Sequence, residues 1–517
     1  MKLGANTTSK LWKRSIASGC IAVMGVGLLA GCSAGTPQSA APTDQKSNPT
    51  AAAKGPLDLS VLTVYFGAEP PKPDNELIVE YQRLMNVKFN TIWVPSAAYN
   101  DKLNTTIAAN NMPKALLALD MKAPIIVNSV HSGAFWEIGP LLKDYPNLNK
   151  ANPIALSNSS IDGKTYGLYR SRPLTRGGIV FRKDWLDNLG LQVPKSLDEL
   201  YNTLKAFTQG DPDKNGKNDT IGLFLNSDLS FLTMSSWHGA PNKWEVKDNK
   251  LSPDFLTKEY FETMKFYKKL FDEKLINQDF GVANNNQMFE NINKGKAGMY
   301  IGNIGDSQNK HADLYKLTPS AVLDIQNRIS GPKGERINSD PGYYGAYMFP
   351  KSTVKTEAEL KQILAAFDKL ASQEGTDLAF YGIKGKHWDL ENGKAKRLID
   401  STAWNNLKAD VFAYDISYIK ETDPVMTDKD SPLSIKYLQL VDEGSKIVVA
   451  NPAEALISET NSQKGQSLDK IISDARTKFI MGQLDESGWM KAIEQWRNEG
   501  GNKVIEEMSA AYDKTKK

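Results

Sequence analysis

The 517-residue chain has two cysteines and four histidines, and each shortage removes a class of chemistry. Cys20 and Cys32 both lie near the amino terminus, which leaves the body of the chain without a disulfide, a cysteine nucleophile or a thiolate metal site. His131, His238, His311 and His387 are scattered, with no two at metal-binding spacing. No Walker loop or dinucleotide fingerprint occurs, Gly25-Val26-Gly27 belongs to an apolar leader, and the single Gly-x-Ser-x-Gly match, Gly31-Cys32-Ser33-Ala34-Gly35, lies at the end of that leader and not on a strand-to-helix turn. No apolar run reaches the roughly 20 residues that span a bilayer. These absences argue against an enzyme. Acid pairs of the glycosidase kind occur in any acid-rich chain and leave a surface carbohydrate hydrolase as an alternative.

What is present begins at the amino terminus. Lys2, Lys10, Lys13 and Arg14 precede a ten-residue, mostly apolar stretch from Ile21 to Ala30, which is the make-up of a secretory signal. Leu29-Ala30-Gly31-Cys32 then resembles the bacterial lipobox, a resemblance that implies lipid on Cys32 and a mature chain starting there. The alternatives are an ordinary cleaved signal or an uncleaved anchor. Ser, Ala, Gly, Thr, Pro and Gln dominate the next two dozen residues, too polar to bury a core, so 1–31 reads as signal and 32–56 as flexible tether. Four of the 63 cations sit in that signal. The remainder balances 59 cations against 60 acids, and such a near-neutral chain gives no reason to expect nucleic acid as a partner.

From Leu57 onward strand and helix patterns alternate, which predicts an α/β fold with a mainly parallel sheet. Residues 57–65 read as a strand, 75–85 as a helix, 87–94 as a strand, 101–109 as a helix, and 116–127 as holding another strand. A second unit starts near Gly177, with a strand at 178–181 and a short helix at 184–189. A longer helix opens at Ser196, where Glu199 is placed to reach back to the Ser196 amide. Residues 221–225 read as a strand and 258–275 as an amphipathic helix with Phe261, Met264, Tyr267 and Leu270 inward. The segment from Leu468 to Tyr512 reads as mostly helical.

Several stretches in this order carry a resemblance. They are Ile161-Asp162-Gly163-Lys164-Thr165-Tyr166-Gly167-Leu168, Phe181-Arg182-Lys183-Asp184-Trp185-Leu186 and the helix start from Pro194 to Leu200. Lys294 to Met299, Tyr381 to Trp388, and Phe479 to Asp485 with Trp489 and Tyr512 follow. The chain resembles the family 1 extracellular solute-binding lipoproteins of ABC importers, in the large Gram-positive subgroup tied to oligosaccharides. The resemblance implies a two-lobed, maltose-binding-protein-like α/β fold with the ligand cleft between lobes. Residues 57–174 and 341–425 would form one lobe, and 175–340 and 426–517 the other. Chain crossings would fall near 172–177, near 340–344 and around 420–435. The implied role is capture of an oligosaccharide for a membrane permease, by a lipid-anchored monomer on the outer face of the cell membrane. A peptide- or lipid-binding receptor of the same fold is the alternative.

Asp211-Pro212-Asp213-Lys214-Asn215-Gly216-Lys217-Asn218-Asp219 sets oxygen side chains at loop positions one, three, five and nine. Gly216 supplies the sharp turn and the Lys217 carbonyl a further oxygen, so Asp211, Asp213, Asn215, Lys217 and Asp219 form a candidate Ca2+ loop. Position twelve is Gly222 instead of a bidentate Glu, and the next segment reads as a strand, so this is not an EF-hand. Related binding proteins place an acid directly after position nine, where this chain has Thr220, which predicts weaker binding. The alternative is a solvated turn.

Sugars are held by aromatic faces and planar polar groups. Candidate ligand contacts are Trp93 at a strand end, Trp237 and His238 beside Gly239, Tyr343 and Tyr344 at the second crossing, and His387, Trp388 and Trp404. Arg170, Arg172 and Arg176 cluster before the first crossing, where guanidinium forks suit the carboxylates of an acidic oligosaccharide such as a pectin fragment. Pairing with acids at the hinge is the alternative.

Overall fold

The β-branched and leucine-rich run Leu57–Tyr65 forms a nine-residue strand (β1) whose Leu59, Val61, Leu62 and Val64 are at most 1 % exposed. The computed structural model describes residues 55–65, 69–308, 310–408, 411 and 432–516. The expected signal, the lipid acceptor Cys32, nearly all of the tether and most of the 420–435 crossing lie outside them.

Eight further strands build two sheets: Val87–Pro95 (β2), Ala115–Ala118 (β3), Gly167–Ser171 (β4), Gly177–Arg182 (β5), Ile221–Leu223 (β6), Ala297–Asn303 (β7), Leu323–Gln326 (β8) and Tyr343–Met348 (β9). The first sheet has the order β2-β1-β3-β9-β4, and the second β8-β5-β7-β6. β1 runs parallel to β2 and β3, while β9 is antiparallel to β3 and β4. β9 therefore returns to the first sheet after the second has been built. Leu57 pairs with Val87 and Tyr65 with Pro95, so the carboxyl ends of β1 and β2 share one edge.

Each sheet anchors its own core, and the chain is two-lobed. One core draws on residues 59–169 and 346–411 and the other on 179–329 and 453–508, with a smaller cluster around Val180, Tyr300 and Ile325. The helix Lys258–Asp272 buries Tyr260, Thr263, Met264, Tyr267 and Leu270, with Phe261 packed at its margin. The carboxyl-terminal helices Glu459–Ile480, Glu486–Trp496 and Asn502–Thr515 complete the second core.

Two expectations needed correction. The sheets are mixed and not mainly parallel, because β9 enters the first sheet antiparallel and β5 runs antiparallel to both β7 and β8 in the second. The segment 116–127 holds the expected strand, followed by the helix Pro124–His131, since Pro124 suits a first helical turn and cannot donate to a sheet. At the helix Leu197–Gln209, Ser196 caps the Glu199 amide at 3.2 Å as expected. Glu199 Oε2, however, accepts from the Lys195 amide at 2.7 Å instead of that of Ser196.

Candidate functional site

Two chain segments run side by side between the cores. Arg172 N donates to Gly342 O at 3.0 Å, and Asp340 N donates to Leu174 O at 2.8 Å, so the link after β4 and the link before β9 are laced together. Gly342 has φ +81°, and a Cβ there would lie 2.9 Å from Leu174, which makes glycine the residue that permits this approach. Ile337–Asn338 pairs in parallel with Val448–Val449, and Asn242 Nδ2 bonds the carbonyls of Ser339 at 2.8 Å and Val449 at 3.0 Å.

Arginine dominates this junction. Arg176 Nε donates to Asp340 Oδ2 at 2.7 Å, with both side chains about one-third exposed. Burial opposes the Arg176 charge, but Asp340, helped by Tyr437 and Asp306, holds the guanidinium above its ordinary value. Arg170 is fully buried in β4, with its guanidinium carbon 5.7 Å from the centre of the Tyr344 ring. Arg172 stands 5.8 Å from the same centroid, and its Nη1 donates to Ser171 O at 2.6 Å. Tyr344 itself is 37 % exposed. Tyr343 packs against the first core, and burial, with Glu454 and Asp120, raises its phenol well above the usual range. Trp93 is half-buried near the carboxyl end of β2, opposite Thr63. The structure thus brings Arg170, Arg172, Arg176, Tyr343 and Tyr344 together at the two links.

Five other candidates are inside the protein. Trp237 is 0 % exposed in the second core, with Nε1 buried and without a hydrogen-bond partner among the described residues. His238 bonds Met234 O through Nδ1 at 3.0 Å, and burial depresses its pKa. His387 accepts from Ile383 N at Nδ1 (2.9 Å), which leaves Nε2–H to donate to Glu76 Oε1 at 2.9 Å. Trp388 Nε1 donates to Gly382 O at 2.9 Å, and both Trp388 and Trp404 are 4 % exposed. The expectation that these five residues are ligand contacts is therefore corrected, since all are buried. Glycine is there because the rings come so close: a Cβ at Gly382 would lie 2.5 Å from His387 Nδ1 and 2.8 Å from Trp404.

Sequence reasoning missed Lys122, in the loop after β3. Its ammonium donates to the Ser160 carbonyl and, at 3.2 Å, to Ala455 O, beside a cavity of about 320 Å³ lined in part by Asp120, Ser458, Asn461 and Asp469. Burial lowers its pKa to about 8, against the pull of Glu454, Asp120 and Asp162. Nothing in its local sequence marks it, since both acceptors are carbonyls distant in the chain.

The Asp-rich loop folds around its own side chains. Asp211 accepts the amides of Asn215 and Gly216, each at 3.0 Å, and Gly216 takes φ +78°. Asn215 Nδ2 donates to Asp213 Oδ2 at 2.8 Å and Asp219 Oδ1 at 3.2 Å. Asp213 Oδ1 is buried without a hydrogen-bond partner among the described residues. Burial raises the Asp213 pKa, and the neighbouring carboxylates of Asp211 and Asp219 add to this. Among the described residues no three His, Cys, Asp or Glu side chains are arranged as a metal centre.

A profile of bacterial extracellular solute-binding proteins matches residues 67–377. The polygalacturonan/rhamnogalacturonan-binding protein YtcQ of Bacillus subtilis (strain 168) is 43 % identical, covering 95 % of this chain and 97 % of its own. Lipoprotein LipO of the same organism is 36 % identical over the same shares. Among solved structures, the S. pneumoniae substrate-binding protein FusA, as an EF-hand mutant in complex with fructo-nystose, superposes with a TM-score of 0.65 at 18 % identity. That match covers 89 % of this chain and 99 % of FusA.

Proposed function

The chain belongs to the bacterial extracellular solute-binding protein family, and from that premise we propose that it captures acidic oligosaccharides for an ABC permease. The family binds solutes, so the chain is a binding protein and not an enzyme. The observation that carries the acidic reading is the exposed Tyr344 ring with the part-exposed Arg172 guanidinium beside it and the buried Arg170 behind. An aromatic face stacks on a sugar ring, while guanidinium forks match a uronate carboxylate. The name of YtcQ, a binder of polygalacturonan and rhamnogalacturonan, supports the same substrate class.

In this reading the cleft lies between lobes of 57–174 with 341–425 and 175–340 with 426–517. Trp93, Arg170, Arg172, Arg176, Tyr343 and Tyr344 face or frame it. Ligand closes the lobes only so far as it binds the closed state more tightly. Lipid on Cys32 holds the receptor, as a monomer, on the outer face of the membrane within reach of its permease. The lipobox resemblance supports that anchor, as does the lipoprotein LipO. Among the described residues no helix is long and apolar enough to cross a membrane.

The Asp211–Asp219 loop fits Ca2+ in its donor chemistry. It offers oxygen ligands only, and the buried Asp213 Oδ1 lacks a partner among the described residues. The crowding that raises the Asp213 pKa is the kind a divalent cation relieves. Asp211, Asp213, Asn215, Asp219 and the Lys217 carbonyl would hold the ion, whose role there is to tie the loop together.

Thermal shift of the chain from Ser33 against oligogalacturonates, neutral oligosaccharides and peptides tests this function. A ligand of the folded state raises the melting temperature. Oligogalacturonates should do so. Stabilisation by peptides alone would overturn the proposal in favour of a peptide receptor.

A further inference from the structure

Trp404 carries two cations. The Arg397 guanidinium carbon lies 4.6 Å from its ring centre, and Lys408 Nζ lies 5.5 Å from the same centre. Arg397 comes from the hairpin strand Lys394–Arg397, and Lys408 ends the helix Ser401–Lys408. The indole holds both because Trp404 is 4 % exposed and packed into the first core.

Cations in such surroundings ordinarily acquire a carboxylate, since an unpaired charge taken from water is costly. These two have none among the described residues. Arg397 Nη1 is buried without a hydrogen-bond partner, and Nη2 reaches the Phe380 carbonyl at a long 3.4 Å. Glu76 is engaged by Lys386 and by His387, and Asp400 accepts the Ala403 amide at the start of the Trp404 helix. Burial pushes both cations below their ordinary pKa values, and the charge of Arg397 lowers Lys408 further.

The position of this pair makes it more than a packing defect. Asn75 Nδ2 bonds Leu407 O at 2.9 Å, and the His387 ring centre is 6.2 Å from that of Trp404. Asn75 and Glu76 start the helix Glu76–Met85, which follows the carboxyl end of β1. Ligands of open α/β sheets lie outside the carboxyl ends of their strands. The cation pair thus stands on the ligand-facing side of the first lobe, on segments distinct from the Arg170–Tyr344–Arg172 group.

We propose that Arg397 and Lys408, set on Trp404, form a second anion subsite that takes a carboxylate of a bound acidic oligosaccharide. The proposal rests on the oligosaccharide reading above and adds a contact to it. One guanidinium edge and one ammonium converge on the anion, while Trp404 serves as their platform and not as a stacking face for sugar. A carboxylate there supplies the anionic partner that the pair lacks among the described residues.

The test compares an oligogalacturonate with its carboxyl-reduced counterpart by calorimetry, using the chain from Ser33 and its R397Q, R397K and K408M variants. Losing one charge-assisted contact should weaken acidic-ligand binding about tenfold in R397Q and K408M. R397K should recover part of the loss, and affinity for the reduced ligand should stay unchanged in all variants. Melting curves check that each variant folds, and K408M, which keeps the buried arginine, stands in should R397Q fail to. Wild-type preference for the acidic ligand with equal affinity in R397Q and K408M would overturn the subsite and leave the oligosaccharide reading intact. Equal losses for the acidic and reduced ligands would also overturn it, marking the pair as structural. A wild-type chain that binds neither glycan would overturn both readings.

Discussion

Arg176 and Asp340 meet through a 2.7 Å charged hydrogen bond that ties together two chain links 164 residues apart. Both links also share backbone hydrogen bonds, so the ion pair reinforces a junction already formed. Asp340→Asn should cost about 1 kcal/mol of unfolding free energy, since the pair is only partly shielded from solvent. Urea unfolding measures this. No loss of stability would show that the backbone lacing alone sets the junction.

Lys122 makes stability depend on pH in the alkaline range. Its pKa is about 8 in the fold and near 10.4 in an unfolded chain, so between those values the unfolded state binds more protons. The contribution of this group therefore rises as pH increases through that window, by at most about 1.4 kcal/mol per unit. Relative to Lys122→Met, the wild type should gain stability from pH 8 to pH 10. Parallel urea profiles for the two proteins would contradict this.

His311 acts on the acid side. Its ring is 1 % exposed between Asn293 Oδ1 at 2.6 Å and Tyr300 OH at 3.2 Å, and burial lowers its pKa to about 4. Below about pH 6.5 the unfolded chain takes up a proton that the folded one refuses, so stability falls as pH drops toward 4. His311→Gln should show a shallower decline over that interval, whatever its absolute stability. His238, also depressed by burial, adds a slope of the same sign.

Calcium should stabilise the Asp211–Asp219 loop. At a hundredfold excess over the dissociation constant the gain is about 2.7 kcal/mol. Chelator should lower the melting temperature of the wild type and leave Asp213→Asn unaffected. A wild type indifferent to both chelator and added Ca2+ would remove the ion from the account.

Much of the fold was legible because short-range physics decided it. The β-branched run of β1 and the apolar face of Glu76–Met85 gave strand and helix at their expected places. Where two local rules competed, the element changed: in the mostly apolar stretch Leu116 to Val127 the strand stops at Ala118, and Pro124 opens a helix in the second half. The arginine cluster was visible as spacing, but its partner Asp340 and the shared ring of Tyr344 arrive from far along the chain. Glycine beside an aromatic proved ambiguous in principle. At Gly382 it marks the close packing of His387 and Trp404, and no periodicity distinguishes that from an open loop. Lys122, Arg397 and Lys408 left no sequence signal, because what sets each apart is the surroundings that tertiary structure gives it.

The central claim is that this receptor recognises carboxylated sugar chains through guanidinium groups at the junction of its lobes. Calorimetry of the wild type and Arg172→Gln with an oligogalacturonate and its carboxyl-reduced form tests it most directly. The account predicts saturable one-to-one binding of the acidic chain, weaker binding of the reduced one, and about a tenfold loss in the variant for the acidic chain alone. Equal affinity of the wild type for the two glycans, or binding of neither, would contradict it.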